Sequence, residues 1–296
     1  MITGLVNLAG FVFRHPIGRR RPWRCAFDTL VWQLTATGRP RAVSFVGDAR
    51  LRARRSETGV TGNIYVGLHE FADMAFVVHA LRPGDLFGDI GANAGSYTVL
   101  AAKIAGAEVI AVEPVPETAE RLRRNVELNG LSDRVELHRV AVSDRAGTVR
   151  FTIDADTINP IAGATDAQRP TLAVPCTTLD SLLGARVPAL LKIDVEGHEG
   201  AVLEGARNLL GSPGLLALIV EEGPGFGLSP DPGPVHRILQ EHGFVSAAYD
   251  PWARRFDRVE RSDGGRRENL LWLRDWVELG RRVREAPPLL VKGLRV

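Results

Sequence analysis

The sequence predicts an α/β protein, a sheet with helices on both faces preceded by an N-terminal cap. Two observations predict this fold. Apolar strand-like runs alternate with helix-like segments from about residue 85 onward, and a glycine-rich turn separates the first run from its helix. Residues 1–80 lack this alternation. We therefore expect an N-terminal extension and cap over 1–80, a sheet domain over 81–275 and a tail over 276–296.

Each element of the sheet domain follows from apolar periodicity and from its flanking turn residues. After the first run, Leu86-Phe87, the predicted strands cover residues 108–112, 135–140, 148–153, 189–195, 215–220, 244–249 and 269–273. The predicted helices cover residues 70–81, 116–128, 201–210 and 235–242. We expect a short strand or turn over 63–67, a loop over 154–170, and an appendage around Pro287-Pro288.

The turn after the first strand has the composition of a nucleotide site. It runs Asp89-Ile90-Gly91-Ala92-Asn93-Ala94-Gly95-Ser96-Tyr97-Thr98. Its glycines let the backbone approach a ligand, and the following helix points its first N–H groups at that ligand. No lysine follows Gly95, and the spacing is not a clean G-x-G-x-x-G, so pyrophosphate is not the obvious ligand. A second acid, Glu113, ends the next strand, and the pair suits a nucleoside that carries an amino acid, such as S-adenosylmethionine.

Composition and charge describe an ordinary globular chain. The 296 residues are 45% hydrophobic and 24% charged, and the net charge of +2 gives no argument for a nucleic-acid partner. Cys25 and Cys176 form no metal-binding spacing, which favours a reducing, cytoplasmic setting.

The N-terminus is apolar and then basic. Residues 5–13 are too few to cross a bilayer, and the arginines follow the apolar run, whereas those of a signal peptide precede it. We expect neither a signal peptide nor a membrane span. Because Phe11, Phe13 and Trp23 interleave with arginine, the segment is either a packing arm or a short helix that contacts a membrane surface.

Six motifs together resemble the FkbM-type S-adenosylmethionine-dependent methyltransferases between Asn63 and Leu273. They are the glycine turn 89–98, Val112-Glu113-Pro114, Asn125-x-x-Leu128-Asn129, Ala141-Val142-Ser143-Asp144, Thr178-Leu179-Asp180 and Leu191-Lys192-Ile193-Asp194-Val195-Glu196-Gly197-His198-Glu199. The resemblance implies a class I methyltransferase fold, with a Rossmann-like, seven-stranded mixed sheet and a reversed last hairpin. It also implies methyl transfer to an oxygen of a sugar or another hydroxylated small molecule.

The resemblance implies a set of cofactor-binding residues. They are Asp89, Gly91, Asn93, Gly95 and Thr98 around the methionine end, Glu113 at the ribose, and Ala141, Val142 and Asp144 at the adenine. The Asp144 carboxylate could accept from the adenine amine, and its apolar neighbours could enclose the ring. Asp144 is equally suited to forming the turn before Ala146-Gly147.

Three titratable residues follow the strand over 189–195 and are the catalytic candidates: Asp194, Glu196 and His198. Ligands of open α/β sheets bind at the carboxyl ends of strands, and methyl transfer to a hydroxyl needs a base within hydrogen-bond reach. The same residues open a helix, where acids are common for structural reasons. Lys192 is expected to pair with a carboxylate.

Other residues near the predicted site are weaker candidates. Mg²⁺ on Asp194 with Glu221-Glu222 is a further cofactor candidate, although no spacing rule supports a metal site. His69-Glu70 and Asn159 lie in segments that could close over the acceptor.

The residues together with the resemblance imply an S-adenosylmethionine-dependent O-methyltransferase that acts on a hydroxyl of a sugar, glycolipid or other small natural product, with a carbohydrate preferred. A nicotinamide-dependent oxidoreductase uses a similar turn and ribose-binding acid, but it leaves residues 194–199 unexplained. A non-catalytic nucleoside-binding module leaves the same residues idle.

Overall fold

The structure is a computed structural model that describes residues 2–55, 57, 59–152, 171–222, 233–259 and 268–296. The helices are α1 (Ile2–Arg14), α2 (Pro16–Arg20), α3 (Pro22–Thr35), α4 (Thr61–Val66), α5 (Phe71–Ala80), α6 (Ser96–Val99, continued by a π-helix over Leu100–Ala105), α7 (Pro116–Leu128), α8 (Leu179–Leu183), α9 (Glu199–Glu204), α10 (Arg207–Gly211), α11 (Gly233–Glu241) and α12 (Trp276–Glu285). The strands are β1 (Arg41–Ser44), β2 (Arg50–Ala53), β3 (Leu86–Ile90), β4 (Glu108–Val112), β5 (Val135–His138), β6 (Ala141–Val142), β7 (Gly147–Thr152), β8 (Thr171–Thr177), β9 (Leu190–Ile193), β10 (Ala217–Glu222), β11 (Val245–Asp250), β12 (Arg255–Arg258), β13 (Glu268–Leu273), β14 (Leu290–Val291) and β15 (Leu294–Arg295).

The main sheet has the strand order β12-β11-β13-β10-β9-β3-β4-β5. The pairs from β10 to β5 are parallel, whereas β13 lies antiparallel between β10 and β11. The predicted seven-stranded mixed sheet with a reversed last hairpin is therefore confirmed. An eighth strand, β12, extends its edge. Its sequence, Arg-Phe-Asp-Arg, is mostly polar and exposed, so it gave no apolar strand signal.

The central strands are buried on both faces, as expected for parallel strands between two layers of helices. Along β10, Ala217 and Ile219 pack with α5, α6 and α7, while Leu218 and Val220 pack with α8 to α11. Lys192 is the polar member of the otherwise apolar β9, and it is only 3% exposed. A smaller sheet, β6-β8-β7, stands beside the main one.

Several predicted elements need correction. Residues 63–67, expected as a strand or turn, lie largely in α4, where Asn63 O accepts from the Gly67 N–H and closes the helix. The helix predicted over 201–210 is broken at Gly205 into α9 and α10. The helix over 116–128 is confirmed as α7, and Pro116 fills its first turn. The loop predicted over 154–170 lies outside the described residues.

The terminal segments pack on the sheet domain. Leu279 and Val283 of α12 are fully buried, so the tail is not the appendage that the prolines suggested. Helices α1 to α3 and the β1-β2 hairpin cover the same side, as the predicted cap. The boundaries over 1–80, 81–275 and 276–296 stay a prediction.

Two features bear on where the protein works. Within the part of the chain that the structure describes, no helix has the length and apolar character needed to cross a membrane. Cys25 and Cys176 are buried free thiols. The cytoplasmic location expected from them stays a prediction.

Candidate active site

The turn between β3 and α6 forms one wall of a cleft at the carboxyl ends of the parallel strands. The N–H groups of Gly91 and Ala92 both donate to the carbonyl oxygen of Val112, at 2.9 and 3.0 Å. Gly91 has φ +80°, and a Cβ at this position would lie 1.8 Å from the carbonyl oxygen of Asp194. The absence of a side chain at residue 91 thus lets the turn lie against the chain that leaves β9.

Glu113, at the end of β4, is fixed by this turn. Its Oε2 accepts from the Asn93 N–H and its Oε1 from the Val115 N–H, both at 3.0 Å. The side chain is buried, which raises its pKa to about 7 although the two hydrogen bonds act in the opposite direction. The carboxylate oxygens retain lone pairs for a ligand hydroxyl.

Asp89 carries a buried oxygen that lacks a partner. The Thr98 hydroxyl donates to its Oδ2 at 2.6 Å, whereas its Oδ1 has no hydrogen-bond partner among the described residues. Burial raises the pKa of Asp89, and the nearby Lys192 ammonium opposes that rise. A buried acceptor without a donor is costly, so a cationic ligand group would complement it.

The cleft is open to solvent on one side, and its space, including that open part, amounts to about 720 Å³. It is lined by eight predicted site residues, namely Gly91, Asn93, Glu113, Ala141, Val142, Asp194, Glu196 and His198. Residues that were not predicted to bind or react complete it, namely Ile90, Val112, Pro114, Val115, Thr118, Val140, Phe151 and Val195. Asp89, Gly95, Thr98 and Asp144 do not line it, and Thr98 supports Asp89 from behind.

One end of the cleft is apolar, between Ala141, Val142 and Phe151, which are all nearly buried. Phe151 reaches it from β7, which pairs with β8 and so joins the small sheet with β6. No turn or motif marks Phe151 in the sequence, because its place depends on that strand pairing. Asp144 lies outside this apolar end, on the protein surface, and its carboxylate accepts a hydrogen bond from the Ser143 hydroxyl at 3.0 Å.

His198 faces the same end of the cleft as Ser143. Its Nε2 lies 2.8 Å from the Ser143 hydroxyl oxygen. When that hydroxyl donates to Asp144, Nε2 must be the donor to Ser143, which leaves Nδ1 as the acceptor of a neutral ring. Burial lowers the pKa of His198, while the charges of Asp144 and Glu199 act against this.

An acidic cluster lies at the carboxyl ends of β9 and β10, where Asp194 and Glu196 line the cleft and Glu221 lies beside them. We call this cluster the acidic end of the cleft. Asp194, Glu196 and Glu221 each offer a carboxylate oxygen, and these oxygens lie within 4.8 Å of one another. Burial, together with the charges of Asp194 and Glu199, raises the pKa of Glu221 to about 8. The structure thus brings Asp194 and Glu196 together with Glu221, and it turns His198 toward Ser143. Three oxygen donors could hold a hard cation or take up a proton.

Lys192 neutralises this acidic end from beneath. Its Nζ lies 2.7 Å from Asp194 Oδ2, which confirms the expected pairing with a carboxylate, and 4.8 Å from the centre of the Tyr97 ring. Burial lowers the pKa of Lys192, but the carboxylates of Asp194, Glu70 and Asp89 outweigh it and raise the pKa overall. The ammonium is therefore firmly charged.

Of the residues considered for closure over the acceptor, Glu70 joins this network. Its Oε2 accepts from the Tyr97 hydroxyl at 2.7 Å. The His69 ring instead packs on Phe11, with the centroids 5.4 Å apart. Asn159 lies outside the described residues.

Comparisons with known proteins agree with this site. A family model described as the methyltransferase FkbM domain matches residues 89–246. The 31-O-demethyl-FK506 methyltransferase FkbM of Streptomyces tacrolimicus is 30% identical over 218 residues, which cover 61% of this chain and 82% of that protein. The hexuronic acid methyltransferase AglP of Haloferax volcanii is 28% identical over 169 residues, which cover 53% of this chain and 62% of that protein.

A crystal structure of methyltransferase FkbM from Methylobacillus flagellatus has a TM-score of 0.42 and 13% identity, and the match covers 64% of this chain and 43% of that one. The glycine turn, Glu113 and the acidic end of the cleft all fall inside the residues that the family model matches. Since that match spans more than half of the chain, the protein belongs to the methyltransferase FkbM domain family and is a methyltransferase.

Proposed function

We propose that the protein transfers a methyl group from S-adenosylmethionine to a hydroxyl oxygen of a small acceptor, preferably a carbohydrate. The acidic end of the cleft carries the proposal, because Asp194, Glu196 and Glu221 offer acceptors for sugar hydroxyls and for a proton. The names of two relatives, a 31-O-demethyl-FK506 methyltransferase and a hexuronic acid methyltransferase, support this acceptor class. A sugar carried by a glycolipid belongs to the same class.

The residues of the cleft fit S-adenosylmethionine. Ala141, Val142 and Phe151 would enclose the adenine, and Glu113 would accept from the ribose hydroxyls. Asp89, which lies behind the wall of the cleft, would favour the ammonium of the methionine end through its buried negative charge. When bound, the cofactor supplies an electrophilic methyl group on a sulfonium. Family membership favours this ligand over the nicotinamide and non-catalytic alternatives.

The acidic end would take the acceptor proton. An acceptor hydroxyl loses its proton as its oxygen bonds to the methyl carbon, so a carboxylate must lie within hydrogen-bond reach. Lys192 holds Asp194 in place through the 2.7 Å ion pair, which suits Asp194 to orienting the hydroxyl. Glu221, with a pKa of about 8, is mostly protonated at neutral pH, and its ionised form, which becomes the major form above about pH 8, would accept the proton. His198 remains a second candidate for the base.

Cofactor identity can be tested by thermal unfolding with S-adenosylhomocysteine and with NADH. A ligand at a hundred times its dissociation constant stabilises the folded state by about 2.7 kcal/mol. We expect stabilisation by S-adenosylhomocysteine alone. Stabilisation by NADH alone would contradict the proposal.

The acceptor class and the base can be tested together. The protein, S-adenosylmethionine and a panel of hydroxylated sugars should give products that gain one CH₂ by mass spectrometry. Among Asp194→Asn, Glu196→Gln, Glu221→Gln and His198→Asn, loss of the base should lower turnover about a hundredfold or more with little change in S-adenosylhomocysteine affinity. Glu204→Gln, an exposed acid on α9, is the matched control.

The pH profile separates the candidate bases. With Glu221 as base, turnover rises with pH through about 8, and Glu221→Gln removes that rise. With His198 as base, turnover rises at a pH below the ordinary histidine pKa, because burial lowers the pKa of His198. Turnover that EDTA abolishes and Mg²⁺ restores would assign the three carboxylates to a metal instead. Normal turnover in all four variants would show that none of these four residues takes part in proton transfer.

A further inference from the structure

Helix α3 is apolar on two opposite faces. Its inner face, Cys25, Thr29 and Trp32, is buried against the protein. Its outer face carries four large apolar side chains that, at about 100° per residue, lie within an arc of about 60°. We call this set the α3 stripe; it consists of Trp23, Phe27, Leu30 and Leu34.

The α3 stripe is strongly exposed. Trp23 is 83% exposed, Phe27 62%, Leu30 56% and Leu34 76%. The stripe runs about 16 Å along the helix, and the exposed Val31 widens it. Outside α3, the exposed large apolar side chains of the described residues are Phe13, at the end of α1, and the scattered Val187, Val277 and Leu290. A contiguous apolar stripe on a helix with a well-packed inner face indicates a contact surface.

Positive charge surrounds the stripe. The first 47 residues contain seven arginines and one acid, Asp28. That acid is already paired with Arg24 at 3.1 Å and with Lys292 at 2.7 Å. Exposed arginines lie at both ends of the helix, namely Arg19, Arg21 and Arg24 at its start and Arg39 and Arg41 after its end. The surface that contains the stripe is therefore cationic.

We propose that the α3 stripe docks this protein on the surface of an anionic lipid membrane. Its apolar side chains would enter the boundary between headgroups and acyl chains, where tryptophan is favoured, and the arginines would meet lipid phosphates. A protein partner would need an acidic rim around an apolar groove of matching shape. An anionic bilayer presents negative headgroups above an apolar interior everywhere on its surface. The proposal does not depend on the reaction that the cleft performs.

The N-terminal helices are joined to the wall of the active site. The Asn63 amide, on α4 beneath α3, donates to the Ser96 hydroxyl at 3.2 Å, beside the glycine turn. Phe11 of α1 packs on His69, the neighbour of Glu70. A docked α3 would therefore carry the wall of the active site with it to the membrane surface.

Vesicle sedimentation tests the proposal with the full chain. We expect binding to vesicles of phosphatidylglycerol mixed with phosphatidylcholine at low salt, weaker binding at high salt, and little binding to phosphatidylcholine alone. The variant Phe27→Ser/Leu30→Ser/Leu34→Ser should lose at least tenfold in partitioning. The control is Val187→Ser/Val277→Ser, which removes two exposed apolar side chains from other elements and should bind like the wild type.

Arginine and tryptophan variants add two independent measurements. Arg19→Gln and Arg24→Gln should each weaken binding to the anionic vesicles by about fivefold. Trp23 should shift its emission to the blue and be quenched by brominated lipid, because it is exposed while Trp32 and Trp272 are buried. Trp23→Phe should remove most of that shift.

Three results would overturn the proposal. The wild type could fail to sediment with anionic vesicles at low salt, or the stripe variant could bind as well as the control. The stripe variant could also convert a dimer into a monomer while neither protein binds vesicles, which would make a second copy of the chain the occupant of the stripe. Unchanged circular dichroism of the variants verifies that each is folded.

Discussion

The two ends of the cleft are stabilised by different forces. The part of the cleft around Gly91 and Glu113, which we call the nucleoside end after its proposed ligand, is fixed by hydrogen bonds of backbone N–H groups between neighbouring strand ends. The acidic end, around Asp194, Glu196 and Glu221, which we call the acceptor end after its proposed ligand, gathers like charges that Lys192 partly neutralises. The hydrogen bonds from Gly91 and Ala92 join backbone groups that do not titrate, whereas the arrangement at the acceptor end depends on which carboxyl groups carry protons. A methyltransferase gains from this division, because the cofactor is constant while the acceptor site must exchange protons.

The comparison predicts that Lys192→Met has the largest effect. Removing the buried ammonium leaves the partly exposed Asp194 carboxylate without its partner, and breaking a buried pair costs about 3–5 kcal/mol, which is the upper bound here. We expect a loss of up to this size in the free energy of unfolding, measured by urea denaturation. Lys103→Met is the matched control, because Lys103 forms a 3.0 Å pair with the exposed Asp48 and should lose less than about 1 kcal/mol.

The double variant Lys192→Met/Asp194→Asn sharpens this test. Neutralising both partners should recover much of the lost stability, because no unpaired charge remains at residue 194. Equal losses in Lys192→Met and Lys103→Met would show that charge does not organise the acceptor end.

Gly91→Ala should have the next largest effect, this time at the nucleoside end. The new Cβ would lie 1.8 Å from the carbonyl oxygen of Asp194, and the residue would also be held at φ +80°. We expect a loss of about 2–4 kcal/mol in unfolding free energy, the sum of overpacking and left-handed strain. Gly130→Ala isolates the strain, since φ is +67° there and no atom lies within 4 Å of the added Cβ. If both variants lose the same amount, the contact with Asp194 is not the constraint.

The sequence signals for the two ends of the cleft act over different distances along the chain, and the reason is physical. Gly91, Asn93 and Glu113 are recognisable because local rules of turns and strand ends decide their places. The bounds of α7 follow equally from its own proline and asparagine. All of these signals lie within a few residues of the feature they specify.

The acceptor end depends on contacts between distant segments. Glu221 meets Asp194 only because β10 pairs with β9, and Tyr97 meets Glu70 across two separate helices. His198 was expected beside Asp194 and Glu196, but it contacts Ser143, which is 55 residues away. Lys192 was the informative exception, because a cation inside an apolar strand must find a carboxylate. Charge in a buried strand is therefore a useful sequence signal for the acceptor end.

Glu113→Ala tests the ribose contact and should weaken S-adenosylhomocysteine binding by about 1.5–3 kcal/mol, the range for hydrogen bonds to a charged group. Calorimetry measures the change directly. Glu117→Ala, an exposed acid one turn further along, is the control and should bind normally. Wild-type affinity in Glu113→Ala would leave Glu113 with a structural role in the turn alone.

The smallest expected effect is the pH dependence of cofactor binding at the nucleoside end. Burial raises the pKa of Glu113 to about 7, and a ribose hydroxyl donates best to the ionised carboxylate. Binding should therefore strengthen as pH rises through about 7 and weaken as pH falls, because protons then compete for the same oxygens. At pH 8 most Glu113 is ionised and at pH 6 only about a tenth, so S-adenosylhomocysteine affinity should differ about tenfold between them.

Glu113→Gln cannot ionise, and it should bind with one reduced affinity at both pH values. If the wild type and Glu113→Gln show the same pH dependence, the titrating group lies elsewhere, and the nucleoside end then does not hold the ribose through Glu113.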